Sequence, residues 1–215
     1  MAYDSQMISQ IVNRIMAEVG GQPSTDDTVP VGVSNRHIHL SAEDLETLFG
    51  KGYELTPIKD LSQPGQFACK ETLTIVGPSL RPIENVRVLG PLRKQSQVEI
   101  SRTDSFVLKV KPPVRESGKL DGSAPVTIIG PKGVVTLKEG CIIANRHIHM
   151  STEEGAAFGL KDCDYVTVEV NGERRTTFYD VQVRVHKDFR LEMHIDTDDA
   201  NAAGIGNGAR VKVIK

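Results

Sequence analysis

Tryptophan is absent, and aromatic residues make up only 5% of the 215-residue chain. Proteins that grip single-stranded nucleic acid stack bases on aromatic rings, so this composition argues against that class. Charge points the same way. Lysine and arginine number 26 against 28 acidic residues, a net charge of −2 without the basic excess of a nucleic-acid binder. No stretch approaches the roughly 20 apolar residues of a membrane helix, so neither nucleic acid nor membrane is an expected partner. Cysteine is scarce: Cys69, Cys141 and Cys163 are widely spaced, odd in number and form no Cys-x-x-Cys. A disulfide framework is not expected, and a reducing compartment is. Each cysteine reads as a small buried hydrophobe; Cys141, six residues before His147, also reads as a thiolate ligand. Turns, by contrast, are plentiful. Nineteen glycines and eleven prolines in a chain that is 39% hydrophobic suit a β-rich globular fold. The length admits one large domain or two small ones.

One heptad occurs twice. Asn35-Arg36-His37-Ile38-His39-Leu40-Ser41 returns 110 residues later as Asn145-Arg146-His147-Ile148-His149-Met150-Ser151, and the two copies hold four of the six histidines. The repetition reads as an internal duplication whose copies face one another across a site. It extends further: Val86-Arg87-Val88 matches Val181-Gln182-Val183, Val98-Glu99-Ile100 matches Met193-His194-Ile195, and Asp104 matches Asp199.

Ser5–Val19 carries apolar residues at spacings of three and four, an amphipathic helix ended by Gly20 and Gly21 and followed by a polar run. It lacks the pattern of a secretory signal. An apolar stripe on a flexible tether suits docking to a partner surface. Val31–Leu40 reads as a strand with His37 and His39 on one face and Arg36 and Ile38 on the other. Ser41 and Ser151 are placed to cap short helices over Ala42–Phe49 and Thr152–Phe158. Further strands are expected over Phe67–Val76, Val86–Leu89, Gln97–Ser101, Ser105–Lys109, Tyr165–Val170, Arg175–Val185, Arg190–Ile195 and Ala209–Ile214, with others in Leu120–Leu137. Asn171-Gly172 is a hairpin signal. Many short strands with few helices predict two small β-barrels.

Two histidines at i and i+2 on a strand present both imidazoles to one side, a recurring way to hold a transition metal. His37, His39, His147, His149, His194 and Glu99 are enough for two metals with positions left open, suited to Zn²⁺ and also to Co²⁺ or another divalent ion. The bland alternative is two capped strand ends with surface histidines. His186 stands apart and is expected to face solvent. Arg36 and Arg146 are expected to pair with carboxylates. Arg93, in a basic turn before Glu99, suits a phosphate oxyanion, though a solvated surface turn would look the same. A di-metal hydrolase and a metal-stapled scaffold are rival readings of the same ligands.

Taken with the surrounding residues, the chain resembles the PduL-type phosphate acyltransferases (phosphate propanoyltransferases) of bacterial microcompartments. The carriers are Val33–Ser41, Gly90-Pro91-Leu92-Arg93 with Gln97–Ser101, Ala144–Met150 and Met193–Asn201. The resemblance implies interconversion of a short-chain acyl-CoA (acetyl or propanoyl) plus phosphate with acyl phosphate plus CoA, without an acyl-enzyme. It implies two β-barrel domains with a di-zinc site between them. One domain is 30–36 plus 145–215 and the other 37–144, preceded by an encapsulation helix (1–19) and a linker (20–29). His37 and His39 would hold one zinc, open to the CoA sulfur; Glu99, His147, His149 and His194 would hold the other. Arg93 would bind phosphate. Val33, Ser34, Asn35, Arg87 and Asn201 would contact CoA. Arg81 is the substitute for the family's basic residue in a turn that here departs from it, Gly77-Pro78-Ser79-Leu80-Arg81-Pro82. A cytoplasmic enzyme inside a microcompartment lumen is implied, in settings that include propanediol degradation. Residues 5–19 would dock on shell or core proteins, and a homo-oligomer is expected.

Overall fold

The computed structural model describes residues 27–214; the expected encapsulation helix and most of the linker lie outside the described residues. The first half of the described chain contains β1 (Thr28–Ser34), β2 (His37–His39), α1 (Ala42–Phe49), β3 (Pro57–Asp60), β4 (Phe67–Val76), β5 (Pro82–Gly90), β6 (Gln97–Glu99) and α2 (Arg102–Leu108). The remainder contains β7 (Val114–Arg115), β8 (Ala124–Ile129), β9 (Val134–Ala144), β10 (His147–Met150), α3 (Thr152–Phe158), β11 (Tyr165–Val170), β12 (Thr176–Val185), β13 (Glu192–Asp196), α4 (Thr197–Ala203) and β14 (Arg210–Ile214).

The strands close into two six-stranded barrels. One runs β1-β13-β10-β12-β11-β14 and shuts where β1 pairs with β14. The other runs β4-β5-β2-β6-β9-β8 and shuts where β8 pairs with β4, with β3 and β7 added at its margins. Closure removes the unpaired strand edges that an open sheet would expose. Each barrel has its own core. Ile38, Leu40, Ile75, Val88 and Ile128 fill one, and Ile148, Met150, Val168, Val183 and Met193 fill the other. Alternation therefore turns the isoleucine of each His-Ile-His inward and both histidines to the opposite face.

The same register recurs in both barrels. His37 lies opposite Glu99 and Arg87; His147 lies opposite His194 and Gln182. The strands before the two heptads behave alike as well. β1 runs parallel to β13 in one barrel, and β9 runs parallel to β6 in the other. Each heptad thus begins at a crossing. The chain leaves one barrel at Ser34 or Ala144, passes through Asn-Arg, and enters the other barrel as His-Ile-His. Val31–Leu40 is accordingly two strands in two barrels, not the single strand that its alternation suggests. The arginines at the crossings are tied down: Arg36 pairs with Asp104 at 2.8 Å, and Arg146 with Asp199 at 2.8 Å.

Caps form where the sequence places them. The Ser41 hydroxyl accepts from the Asp44 amide, and Ser151 and Glu154 form a capping box. The expected strand Ser105–Lys109 is instead part of helix α2. Ser101 and Asp104 form a capping box there, and those reciprocal bonds start a helix whatever the alternation of the next few residues. The equivalent helix α4, capped by Asp196, was not expected either. The Asn171-Gly172 signal marks a real hairpin, but its loop spans 171–175 and is longer than a two-residue turn.

Candidate active site

The crossings bring all four heptad histidines to the space between the barrels, and all four are buried. They fall into two groups that could hold a metal ion: His37, His39 and Glu99, and His147, His149 and His194. Within each group the ligand atoms lie within 4.8 Å of one another. The donor set fits a divalent transition metal on three counts. First, both ring nitrogens of His149 are buried with no hydrogen-bond partner, an arrangement costly unless something else occupies them, while Nε2 of His194 lies 3.2 Å from the Glu192 carboxylate. Second, His37 and His147 each place Nδ1 2.8 Å from the backbone carbonyl oxygen of their own heptad's asparagine, Asn35 and Asn145. That contact fixes the ring and leaves Nε2 as the free donor, as in metal-binding histidines. Third, four of the five imidazoles are held neutral. Burial, aided by neighbouring positive groups, pushes His149 down to about 2, His39 to about 3, and His147 and His194 to about 4.

Glu99 is the carboxylate of the site. Its Oε2 lies 3.5 Å from Nε2 of His37. Burial alone would raise its pKa, but the His37 imidazole beside it holds it far below the usual carboxylate range. Conversely, burial works against protonated His37, but Glu99 more than compensates and raises its pKa. By contact, then, Glu99 belongs with His37 and His39 rather than with the second histidine group. Its charge is nonetheless felt at His147 and His194, so it stands between the two groups.

Arg93 reaches the same space. Its backbone N–H donates to the Leu40 carbonyl at 2.8 Å, which seats it beside the end of β2. Gly90, just before it, packs against the Phe67 ring so closely that an added Cβ would lie 2.2 Å from a ring carbon. The guanidinium is half-buried. Nη2 is 2.8 Å from Nε2 of His39, and Nη1 donates to Ser117 Oγ at 3.0 Å. Among the described residues no carboxylate pairs with it within 4.0 Å, and burial lowers its pKa. A desolvated guanidinium with donors to spare is suited to a planar or tetrahedral oxyanion.

Sequence reasoning missed Ser117, which joins these parts. Its hydroxyl accepts from Arg93 and from Gln97 Nε2 at 3.0 Å and donates to Glu99 Oε1 at 2.8 Å. A serine 18 residues from its carboxylate partner leaves no local pattern. Ser117→Ala is expected to lower kcat/KM about tenfold, since it frees both a guanidinium and a carboxylate whose hydrogen bonds are each worth about 1–2 kcal/mol; Arg93→Ala and Ser117→Ala together should be less than additive. Arg184 was missed as well. It sits opposite His149 on β12, 3.3 Å from Glu116, and its charge helps keep His147, His149 and His194 neutral.

The expected CoA residues are more dispersed. Ser34 and Asn35 line a small cavity of about 30 Å³ together with His37, Glu99, His147 and His194. Val33 lies just before them, its amide bound to Asn207 Oδ1. Arg87 donates to the carbonyls of Cys69 and Lys70, and Asn201 is exposed on α4. Arg81 is exposed in its turn, with its amide on Ser79 Oγ. His186 faces solvent. Cys69 and Cys141 are core residues, their thiols pushed by burial up to about 11 and about 12, so Cys141 joins neither ligand group; Cys163 is exposed rather than buried.

Buried imidazoles gathered at one interface, with a carboxylate, a guanidinium suited to an anion and a cavity beside them, fit the pattern of an enzyme site. Comparison with known proteins names the enzyme class. Residues 30–206 match the phosphate propanoyltransferase family, and the chain belongs to it. A phosphate propanoyltransferase of Thermotoga maritima is 60% identical over 186 residues, 86% of this chain and 88% of the relative. One from Lachnoclostridium phytofermentans is 56% identical over 209 residues, 97% of each chain, and one from Rhodobacter capsulatus 49% identical over 214 residues, 99% of each. The protein is therefore a phosphate acyltransferase. Among the described residues no helix is long and apolar enough to cross a membrane.

Proposed function

We propose that this enzyme interconverts acyl phosphate plus CoA with acyl-CoA plus phosphate, acting on acetyl or propanoyl groups, with two divalent metals and no acyl-enzyme. The observation that carries the reading is the pairing of two buried histidine groups, four of whose five imidazoles are held neutral, with the half-buried guanidinium of Arg93. His37, His39 and Glu99 would hold one metal, and His147, His149 and His194 the other, zinc by default and Co²⁺ or another divalent ion as substitutes. Bound there, the metals would supply Lewis-acid polarisation of the carbonyl and stabilisation of thiolate charge.

The chain's own residues supply binding and orientation. Arg93 holds the phosphoryl oxygens through the N–H groups it does not spend on Ser117 and His39. Ser34 and Asn35, with Val33, Arg87, Asn201 and Arg81, form the CoA-binding set. In the direction of CoA acylation, the sulfur–carbonyl bond forms, the carbonyl–phosphate oxygen bond breaks, and phosphate leaves on Arg93 as hydrogen phosphate, carrying the proton that the CoA thiol gives up. A protein nucleophile is not needed. The buried thiols of Cys69 and Cys141 stay protonated, and Ser117 Oγ already accepts two hydrogen bonds while donating its proton to Glu99.

The proposal extends to two domains, 30–36 with 145–215 and 37–144, derived from one duplicated unit; the shared registers support this. It also includes self-association, and docking of the Ser5–Val19 stripe on microcompartment shell or core proteins from within the lumen. The decisive assay supplies acetyl or propanoyl phosphate and CoA to the purified chain and follows the thioester by ultraviolet absorbance, before and after chelation. Thioester formation that chelation stops and Zn²⁺ restores is expected. Phosphate release without thioester would replace the reading with a hydrolase.

Removing the metals should also make stability acid-sensitive. Four histidines have folded pKa values below 6.5, so under acid the unfolded chain takes up their protons first and stability drains as the pH falls from about 6.5, through about 4 for His147 and His194 and on towards about 2 for His149. Depressed Glu99 adds to the loss at lower pH, and His37, whose pKa is raised, opposes it. Thermal unfolding of the chelated protein between pH 7.5 and 4.5 checks the sign.

A further inference from the structure

A second opening reaches the site away from the Ser34–Asn35 cavity. It is a groove of about 340 Å³ with His39 and Arg93 at its floor and Pro64, Gly65, Gln66 and Pro91 along its walls. That is room for roughly ten waters, enough for a small acyl phosphate of about nine heavy atoms and far too little for coenzyme A. The two ends of the groove differ in chemistry. Its floor offers guanidinium and imidazole, and its walls are built mainly from proline and glycine, which present no charge to an acyl chain.

The wall belongs to the same barrel as His39 and Arg93, but it is braced from across the interface. Leu61–Gln66 is a tight turn of the barrel that contains β2, closed by Leu61 N–H to the Gln66 carbonyl at 2.9 Å and Gln66 N–H to the Gln63 carbonyl at 3.2 Å. Its position is set by the other barrel. Gln63 is only 3% exposed, and its amide makes two bonds to one residue: Nε2 donates to the Arg190 carbonyl at 3.0 Å, and Oε1 accepts from the Arg190 amide at 3.2 Å. Ser62 Oγ adds a hydrogen bond to Glu192. A buried glutamine that grips the facing backbone through both ends of its amide is placed to hold a loop.

We propose that this groove is the acyl-phosphate mouth of the site, that the Leu61–Gln66 turn forms the wall against which the acyl chain lies, and that Gln63 positions that wall. The proposal rests on Arg93 being the phosphate contact. Acyl phosphate and CoA then approach the histidine groups through separate openings, the geometry of a direct transfer with both substrates bound.

The test uses the full-length, metal-loaded enzyme with acetyl, propanoyl and butanoyl phosphate. Gln63→Ala is expected to raise KM for acyl phosphate about tenfold, as expected for the loss of a buried bidentate contact, and to leave KM for CoA within about twofold. Gln66→Trp, which narrows the groove, is expected to cut kcat/KM for butanoyl and propanoyl phosphate relative to acetyl phosphate. In the unmodified enzyme, phosphate and not CoA should slow hydrogen exchange over 61–66. Should Gln63→Ala fail to fold, the tryptophan variant and the exchange measurement decide alone. Equal shifts in both KM values, unchanged acyl preference in Gln66→Trp, or protection of 61–66 by CoA alone would overturn the proposal if Arg93→Ala still impairs phosphate use. Phosphate use intact in Arg93→Ala would overturn the underlying reading instead.

Discussion

Replacing His147 with alanine is expected to lower acyl transfer by at least about 1,000-fold. His147 stacks on His194 with ring centroids 5.1 Å apart and meets His149 edge-on at 4.7 Å, and His149 meets His194 at 4.8 Å, so the three rings form one mutually touching group. Removal of His147 leaves two donors where a divalent ion needs three or more. Several kcal/mol of charge stabilisation goes with the metal, and each 1.4 kcal/mol is a factor of ten. Metal analysis of the purified variant should fall from about two ions per chain towards one, while circular dichroism retains the β-barrel signature. The barrel core is filled by Ile148 and its neighbours on the other face of β10, so the fold does not depend on the histidine. Full activity in a variant that has lost one metal would remove the second group from the mechanism.

Arg93→Ala should separate phosphate from everything else. The guanidinium is desolvated and, among the described residues, has no carboxylate partner and spends only two of its donors, on Ser117 and His39. Loss of a preorganised charged donor of this kind costs about 100-fold, and the loss is expected in KM for phosphate and in kcat/KM for acyl phosphate. KM for CoA and metal content should hold steady. Arg93→Lys should recover only part of the loss, because an ammonium keeps the charge and loses the fork that grips two oxygens. A variant with unchanged phosphate kinetics would show that Arg93 serves only to brace Ser117 and His39.

These expectations differ in how far the chain alone foretold them. Strands Phe67–Val76 and Tyr165–Val170 were readable to the residue, since each alternates and is bounded by turn formers. The helices after Ser41 and Ser151 were readable because a hydroxyl three residues before an acid is a local signal, acting within one turn. The same signal at Ser101–Asp104 was overlooked in favour of alternation in Ser105–Lys109, and there the cap, which nucleates a helix, outweighed the period of the residues behind it. Ser117, Gln63 and Arg184 left no trace, because each works through a partner distant in the chain.

The amino-acid sequence by itself determined the imidazole pairs. Alternation along an extended chain forces His37 with His39, and His147 with His149, onto one face, and an isoleucine between them commits the other face to a core. Tertiary structure decided where those faces look. The crossings at Asn35-Arg36 and Asn145-Arg146 send each heptad into the opposite barrel from the strand before it, which turns two outward faces into one buried interface. Strand register then set Glu99 against His37 and His194 against His147, and the turn at Gln63, braced by Arg190 of the other barrel, shaped the groove above Arg93. Alternation is a property of consecutive residues and can be read from them. Register and crossing depend on which distant strands close the barrel, and only the folded chain holds that information.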